Sequence, residues 1–302
     1  MVQWPEGKSI VFAPIVAWET WPESLGTARS HQNTSQRPNP KDALYEWDMW
    51  AVYDHQYGET QGLPRLLDLF DAHDVKATFV PNGRRLLESP ELAQDAAKRG
   101  HDFGSENYVH EYAIMYTEEQ ERKDLQDTVN ASKEVVGSAP TGYISPGHRP
   151  SPNTIPILFD LGYRWDADFQ NDDVPFLIRD GDRSMVGMPY AHMSDYLTYS
   201  RMGRSPRQIL EMMIDEFDIL RAEGQAGSPK MMGYAIHPFL CHPFRTVIID
   251  EFLAHVRQFD DAWITTRVEI TDWVLDNPQH FEERTLEQVL ADFPKSPEQA
   301  GS

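Results

Sequence analysis

From Ser9 to Leu275, short apolar runs alternate with amphipathic helical stretches, and this restricts the fold more than any other feature of the chain. A strand that returns to its own sheet through a helix does so as a parallel neighbour with a right-handed crossover. Repeated units of this kind build either a doubly wound sheet or a (β/α) barrel. The runs Ser9–Ala17, Lys76–Val80, His101–Gly104, Gly142–Ser145, Arg164–Ala167, Met185–Met188, Met231–Ile236 and Ala262–Thr265 read as strands. The stretch Gly62–His73 places Leu63, Leu66, Leu67 and Phe70 on one helical face, with Pro64 in its first turn. Further helices are expected over Pro90–Arg99, Thr117–Val136, Thr154–Leu161, Pro206–Glu223, Phe244–Gln258 and Val268–Leu275. Thr117 and Gln120 have the spacing of a capping box.

One α/β domain over residues 1–277 is therefore expected, with 278–302 as an acidic peripheral tail. Residues 24–60 form an insertion rich in Asn, Pro, Gln and aromatics, of a length that serves as a lid or a subunit contact. Tyr45, Trp47, Trp50, Tyr53 and Tyr57 suit either a lid over a small ligand or the interface of a homo-oligomer.

Charge and motifs remove several function classes. With 27 basic and 48 acidic residues the formal charge is −21, a surface that repels nucleic acid and anionic membranes. No apolar run approaches the roughly 18 residues of a membrane span. The first residues, with Trp4, Pro5 and Glu6, lack the basic and apolar segments of a secretory signal. A single cysteine, Cys241, permits no intrachain disulfide, which fits the cytoplasm. Neither a Gly-x-Gly-x-x-Gly nor a phosphate loop follows any strand, which argues against nucleotide binding.

In a parallel α/β protein, ligands bind at the C-terminal edge of the strands, so polar residues just past strand ends are the site candidates. The segment GHDFGSENYVHE carries Glu106 and His110 four residues apart, with Tyr108 between them. Such a pair either ligates a divalent ion or works as a base with an imidazole; on an ordinary helix it is a surface pair. His237 and His242 flank a Pro-rich turn after an apolar strand, where one serves as a general acid and the other as a structural histidine. Trp18, Glu19 and Trp21 close the first strand; a carboxylate among indoles is desolvated, which raises its pKa. Arg149 is placed to clamp a carboxylate or carbonyl, and Asp172 and Asp173 to orient that arginine or a histidine.

Taken in order, these segments resemble the polysaccharide-deacetylase (NodB-homology) superfamily. The landmarks are the first strand ending in Glu19, LPRLLDLFDAHDVKATFV, SPELAQDAAKRGHDFGSENYVHE, GYISPGHRPSPNT, DLGYRWDADFQNDDVPF and a late HPF followed by Arg245. The resemblance implies a distorted (β/α) barrel of about seven parallel strands with its catalytic centre at the strand C-terminal ends. Deacetylases of that superfamily usually carry two aspartates on the first strand, a His-x-x-x-His pair after the third, and an arginine before Ser-Pro. The matching positions here are Ile15, Ala17, Glu106 with His110, and Ile144. These losses resemble the metal-independent allantoinases and cyclic-imide hydrolases of the superfamily, as do Trp18–Glu19 and the run Asp172, Asp173, Pro175 and Phe176.

The expected activity is hydrolysis of a C–N amide bond in a small linear or cyclic substrate. Glu19 or Glu106 activates water, His237 or His110 protonates the leaving nitrogen, and Trp18, Trp21, Tyr108, Arg149, Asp172 and Asp173 contact the substrate. No tightly held cofactor is expected, because two ligands seldom hold zinc firmly. A weak zinc or manganese site on Glu106 and His110 is the alternative. The competing functions are a metal-dependent N-deacetylase of an acetylated sugar and a non-catalytic binding protein on the same fold.

Overall fold

The computed structural model describes residues 2–20, 52–53 and 56–293. Along the chain run β1 (Ile10–Trp18), α1 (Leu63–Ala72), β2 (Thr78–Pro81), α2 (Gly83–Glu88), α3 (Pro90–Lys98), β3 (Asp102–Phe103), α4 (Glu118–Val135), β4 (Gly142–Tyr143), α5 (Thr154–Leu161) and β5 (Trp165–Phe169). They are followed by β6 (Phe176–Asp180), β7 (Arg183–Pro189), β8 (Met193–Ser194), α6 (Pro206–Gln225), β9 (Lys230–Ile236), α7 (Pro243–Val256), β10 (Ala262–Ile264), α8 (Arg267–Asp276), β11 (Glu283–Thr285) and α9 (Leu286–Leu290).

All nine residues of β1 are buried, as befits a strand paired on both edges and covered on both faces. It lies parallel to β9 from Ile10 to Val16 and to β2 from Ile15 to Trp18, while β10 pairs its first residues. A parallel bridge between Ser105 and Tyr143 joins this sheet to the second one. The strands β9, β1, β2, β3, β4, β5 and β7 thus follow one another in parallel around a curved wall, the expected distorted barrel. The sheet is mixed rather than wholly parallel. β6 returns as β7 through a tight turn at Gly181, whose φ is 58°, and the two strands pair antiparallel.

Alternation along β1 sorts its side chains into two layers. Ile10, Phe12, Val16 and Trp18 pack outward with α1, α6 and α7, where Leu63, Leu66, Leu67 and Phe70 are buried as the helical spacing predicts. Val11, Ala13, Ile15 and Ala17 point inward to Trp165, Val186, Met188 and Ala235. Ile15, Ala17 and Ile144 therefore belong to an apolar barrel interior. The capping box of Thr117 and Gln120 is formed at the start of α4.

Packing does not end at residue 277, where a peripheral tail was expected. β11 pairs with β6, and Val289 of α9 is buried against the second sheet. Among the described residues, no helix is long and apolar enough to cross a membrane.

Candidate active site

Glu19 follows β1 directly, and its carbonyl accepts hydrogen bonds from the Arg85 guanidinium at 3.2 and 3.0 Å, which anchors the strand end. The turn after β3 is not helical, yet it carries Glu106 and His110 to one side because asparagines brace it. Asn82 donates to the Asn107 carbonyl at 2.8 Å and to Glu106 Oε2 at 3.4 Å, and Tyr143 donates to Asn107 Oδ1 at 2.5 Å. The backbone N–H of His110 donates to the Thr20 carbonyl at 2.9 Å, tying this turn to the end of β1. His237 follows β9. Its backbone N–H donates to Asp195 Oδ2 at 2.7 Å, and its ring Nδ1 lies 2.5 Å from Asp195 Oδ1.

These elements converge on one carboxylate. Glu19 Oε1 stands 3.3 Å from His110 Nε2 and 3.3 Å from His237 Nε2, with Glu106 Oε2 4.0 Å from the same nitrogen of His110. Burial alone would raise the Glu19 pKa, as the sequence suggests, but the two imidazoles hold it well below the usual carboxylate range. Glu106 lacks such close compensation, and burial pushes it up to about 8. Burial works against a charged His110, but the Glu19 and Glu106 carboxylates raise it to about 9. Asp195 and Glu19 likewise outweigh burial at His237 and raise it well above the histidine norm. Without a cation, Glu19 is held anionic between two imidazoles that keep their protons more tightly than usual, and Glu106 likewise holds its proton more tightly than an ordinary carboxyl.

One ligating atom each from Glu19, Glu106 and His110 lies within 4.8 Å of the others. Two carboxylate oxygens and one imidazole nitrogen, with room on the cleft side, suit a divalent cation of the zinc or manganese class. Such an ion would take the place of the protons on Glu106 and His110, so the donor chemistry fits. Beyond the Glu106–His110 pair expected from the sequence, Glu19 is the third donor.

The cluster forms the floor of a cleft of about 390 Å³, walled by Tyr112, Tyr190 and Tyr196, with Arg149 and Arg201 at its mouth. The other sequence candidates lie elsewhere. Trp18 is 2% exposed and packs in the outer apolar layer. Tyr108 donates its backbone N–H to Asp124 at 2.6 Å and does not line the cleft. Asp172 borders a separate groove with Phe176 and Phe281. Asp173 pairs with Lys230 at 3.4 Å, at the end of β9 opposite His237. Neither aspartate touches Arg149 or His237, but Asp173 Oδ1 stands 3.5 Å from Nε2 of His192, a histidine that lines the cleft. His242 precedes α7 and stacks on Tyr57 at 4.3 Å, a structural histidine. Trp21, Tyr45, Trp47 and Trp50 lie outside the described residues. Asp195 and Asn82 were not singled out from sequence. Asp195 opens an irregular turn with no periodicity, and only the fold brings it to His237.

A family profile described as "Polysaccharide deacetylase" matches residues 46–165. The "Peptidoglycan deacetylase" of Helicobacter pylori is 26% identical over 258 residues, covering 72% of this chain and 85% of that protein. A crystal structure from Mycobacterium smegmatis, provisionally described as a polysaccharide deacetylase, superposes with a TM-score of 0.79 at 26% identity over 98% of both chains. The structure of Puue allantoinase superposes with a TM-score of 0.78 at 23% identity over 91% of this chain and 93% of that one, a likeness of fold. The architecture is that of the polysaccharide-deacetylase (NodB-homology) superfamily, and these likenesses do not single out its allantoinase branch.

Proposed function

We propose that this protein is a hydrolase of C–N bonds that removes an acyl group, acetyl in the simplest case, from the nitrogen of an amino sugar with the help of a divalent cation. The observation that carries the proposal is the Glu19–Glu106–His110 donor set beside the Asp195–His237 pair, on the floor of one cleft. The similarity to a peptidoglycan deacetylase supports the substrate class.

Glu19, Glu106 and His110 would hold a divalent cation, which would supply Lewis-acid polarisation of the amide carbonyl and acidify bound water. Glu106, ionised when it serves as a ligand, accepts the proton of the attacking water. Glu19, kept anionic by the histidines, anchors the cluster. His237 gives its proton through Nε2 to the nitrogen as the C–N bond breaks, leaving a free amine and a carboxylate. Asp195 holds the opposite ring nitrogen protonated and fixes the ring plane, the part an aspartate plays behind a catalytic imidazole.

The cyclic-amide reading expected from the sequence rested on the missing aspartates and arginine at Ile15, Ala17 and Ile144, on Trp18–Glu19 and on the run from Asp172 to Phe176. Trp18 is a core residue and both aspartates stand outside the cleft, so those landmarks, Glu19 apart, do not touch the reacting groups. The N-deacetylase reading takes precedence for that reason.

The test is acetate release from N-acetylglucosamine oligomers by protein loaded with zinc or manganese, before and after chelation. Turnover that falls about a hundredfold in Glu106→Gln and collapses on chelation supports the proposal; that is the scale of one general base. Turnover indifferent to both treatments, or none on any N-acetylated sugar, overturns it.

A further inference from the structure

Glu19 and Glu106 sit on the floor of the cleft, and among the described residues the rest of its lining contains no Asp or Glu. In a chain where acidic residues outnumber basic ones 48 to 27, that is a marked local reversal. Arg149 lays its guanidinium over the Tyr112 ring at 4.5 Å and donates Nη1 to the Gly147 carbonyl at 2.8 Å. Arg201 closes the turn that begins at Tyr196, and both residues line the cleft. The Tyr112 ring lies 6.4 Å from the His110 ring, and the Tyr196 ring 6.0 Å from the His237 ring. Each arginine thus stands one tyrosine beyond one site histidine, one on each side of Glu19. Among the described residues neither arginine has a carboxylate partner.

We infer that the substrate carries a carboxylate in addition to its amide, and that Arg149 and Arg201 select it at the mouth of the cleft. The inference rests on the amide-hydrolase proposal above. A guanidinium offers a carboxylate two parallel charge-assisted hydrogen bonds, which a neutral carboxamide cannot match in strength. Stacking on Tyr112 restrains the Arg149 head, so less freedom is lost when it binds. The chain's overall negative charge repels such an anion at long range. That field is screened beyond about 8 Å at physiological salt, so inside the cleft the two arginines dominate. An acylamino sugar bearing a carboxylate and an N-acyl amino acid share this chemistry.

The experiment compares each acid with its own carboxamide: N-acetylmuramic acid with its amide, and N-acetylglycine with N-acetylglycinamide. Affinity is measured by calorimetry on the cation-loaded protein, and kcat/KM wherever turnover occurs. We expect at least one acid to be preferred over its amide by about tenfold or more, expressed in Kd and KM. The pair that shows the preference identifies the source of the carboxylate. The Arg149→Gln/Arg201→Gln double variant should bring that ratio close to one without moving the thermal midpoint. If neither acid is preferred, or if the double variant keeps the preference, the inference is wrong. Absence of hydrolysis with the binding preference intact would instead count against the amide-hydrolase proposal and leave anion selection standing.

Discussion

His237 owes its charge to Asp195, and the pH dependence of catalysis should reveal the debt. Asp195→Asn removes the largest influence raising the His237 pKa, so the ring loses its proton at a lower pH. A general acid must be protonated to act, so the alkaline limb of the kcat/KM profile should move to lower pH, and kcat should fall by about tenfold or more with KM little changed. A merely structural aspartate would lower activity without moving that limb. Glu19, Glu106, His110 and His237 were legible in the sequence because each stands just past an apolar run. Asp195 and Asn82 were not, because the partner of Asp195 is 42 residues away, those of Asn82 are 24, 25 and 62 residues away, and nothing local marks either. The sign of the Glu19 shift was also beyond sequence. It depends on two histidines arriving within hydrogen-bonding range from β3 and β9, against a burial effect that the flanking apolar residues do announce.

Among the elements, the long apolar strands and the amphipathic helices were readable, because periodicity and caps are local properties. The β6–β7 hairpin was half missed. β7 was anticipated, but β6 lies in a run that the Asp-rich turn before it disguises, although Asp180–Gly181 marks the turn itself. The turn of π-helix over Gly58–Gly62 was equally invisible, and it bears on the site. A Cβ on Gly62 would come within 1.9 Å of the Pro238 carbonyl oxygen, and one on Gly58 within 2.7 Å of the Phe239 nitrogen. The backbone after His237 is therefore seated directly on these glycines. Gly62→Ala must displace that loop, and kcat should drop by about tenfold to a hundredfold, the cost of misplacing a catalytic group by about 1 Å. Thr117→Ala, at the start of α4, removes a cap and should cost about 1 kcal/mol of stability while leaving kcat unaltered. Steady-state kinetics paired with denaturant unfolding of the two variants checks the contrast. Equal effects of both on kcat would show that the Gly62 contact does not seat His237.

For the whole molecule, titration should place greatest stability below neutrality in the metal-free state. Buried Asp102 and Asp124 are pushed up to about 6 and about 7, chiefly by desolvation, so they keep protons that the unfolded chain has released. Their contribution is fully present below the unfolded carboxylate range and is lost as pH rises through 6 to 7. Glu106 and His110, raised to about 8 and about 9, act in the same sense and extend the decline to alkaline pH. His101 opposes them. Burial lowers it to about 4, so its contribution is present above the ordinary histidine pKa and fades as pH falls toward 4. Three raised carboxyls outweigh one lowered histidine, so the thermal midpoint of chelated protein should be highest near about pH 4–5 and fall from there toward pH 9. Added salt should narrow the loss by screening a formal charge of −21. A divalent cation changes the slope, because Glu106 and His110 must shed their protons to bind it. At pH 6 that release works against binding; at pH 9 most of it has already occurred. The rise in midpoint on adding zinc or manganese should thus be larger at pH 9 than at pH 6, with metal hydrolysis controlled by a weak chelating buffer. Glu106→Gln should flatten the difference. An equal rise at both pH values in the unmodified protein would mean that the cation is held by groups other than Glu19, Glu106 and His110.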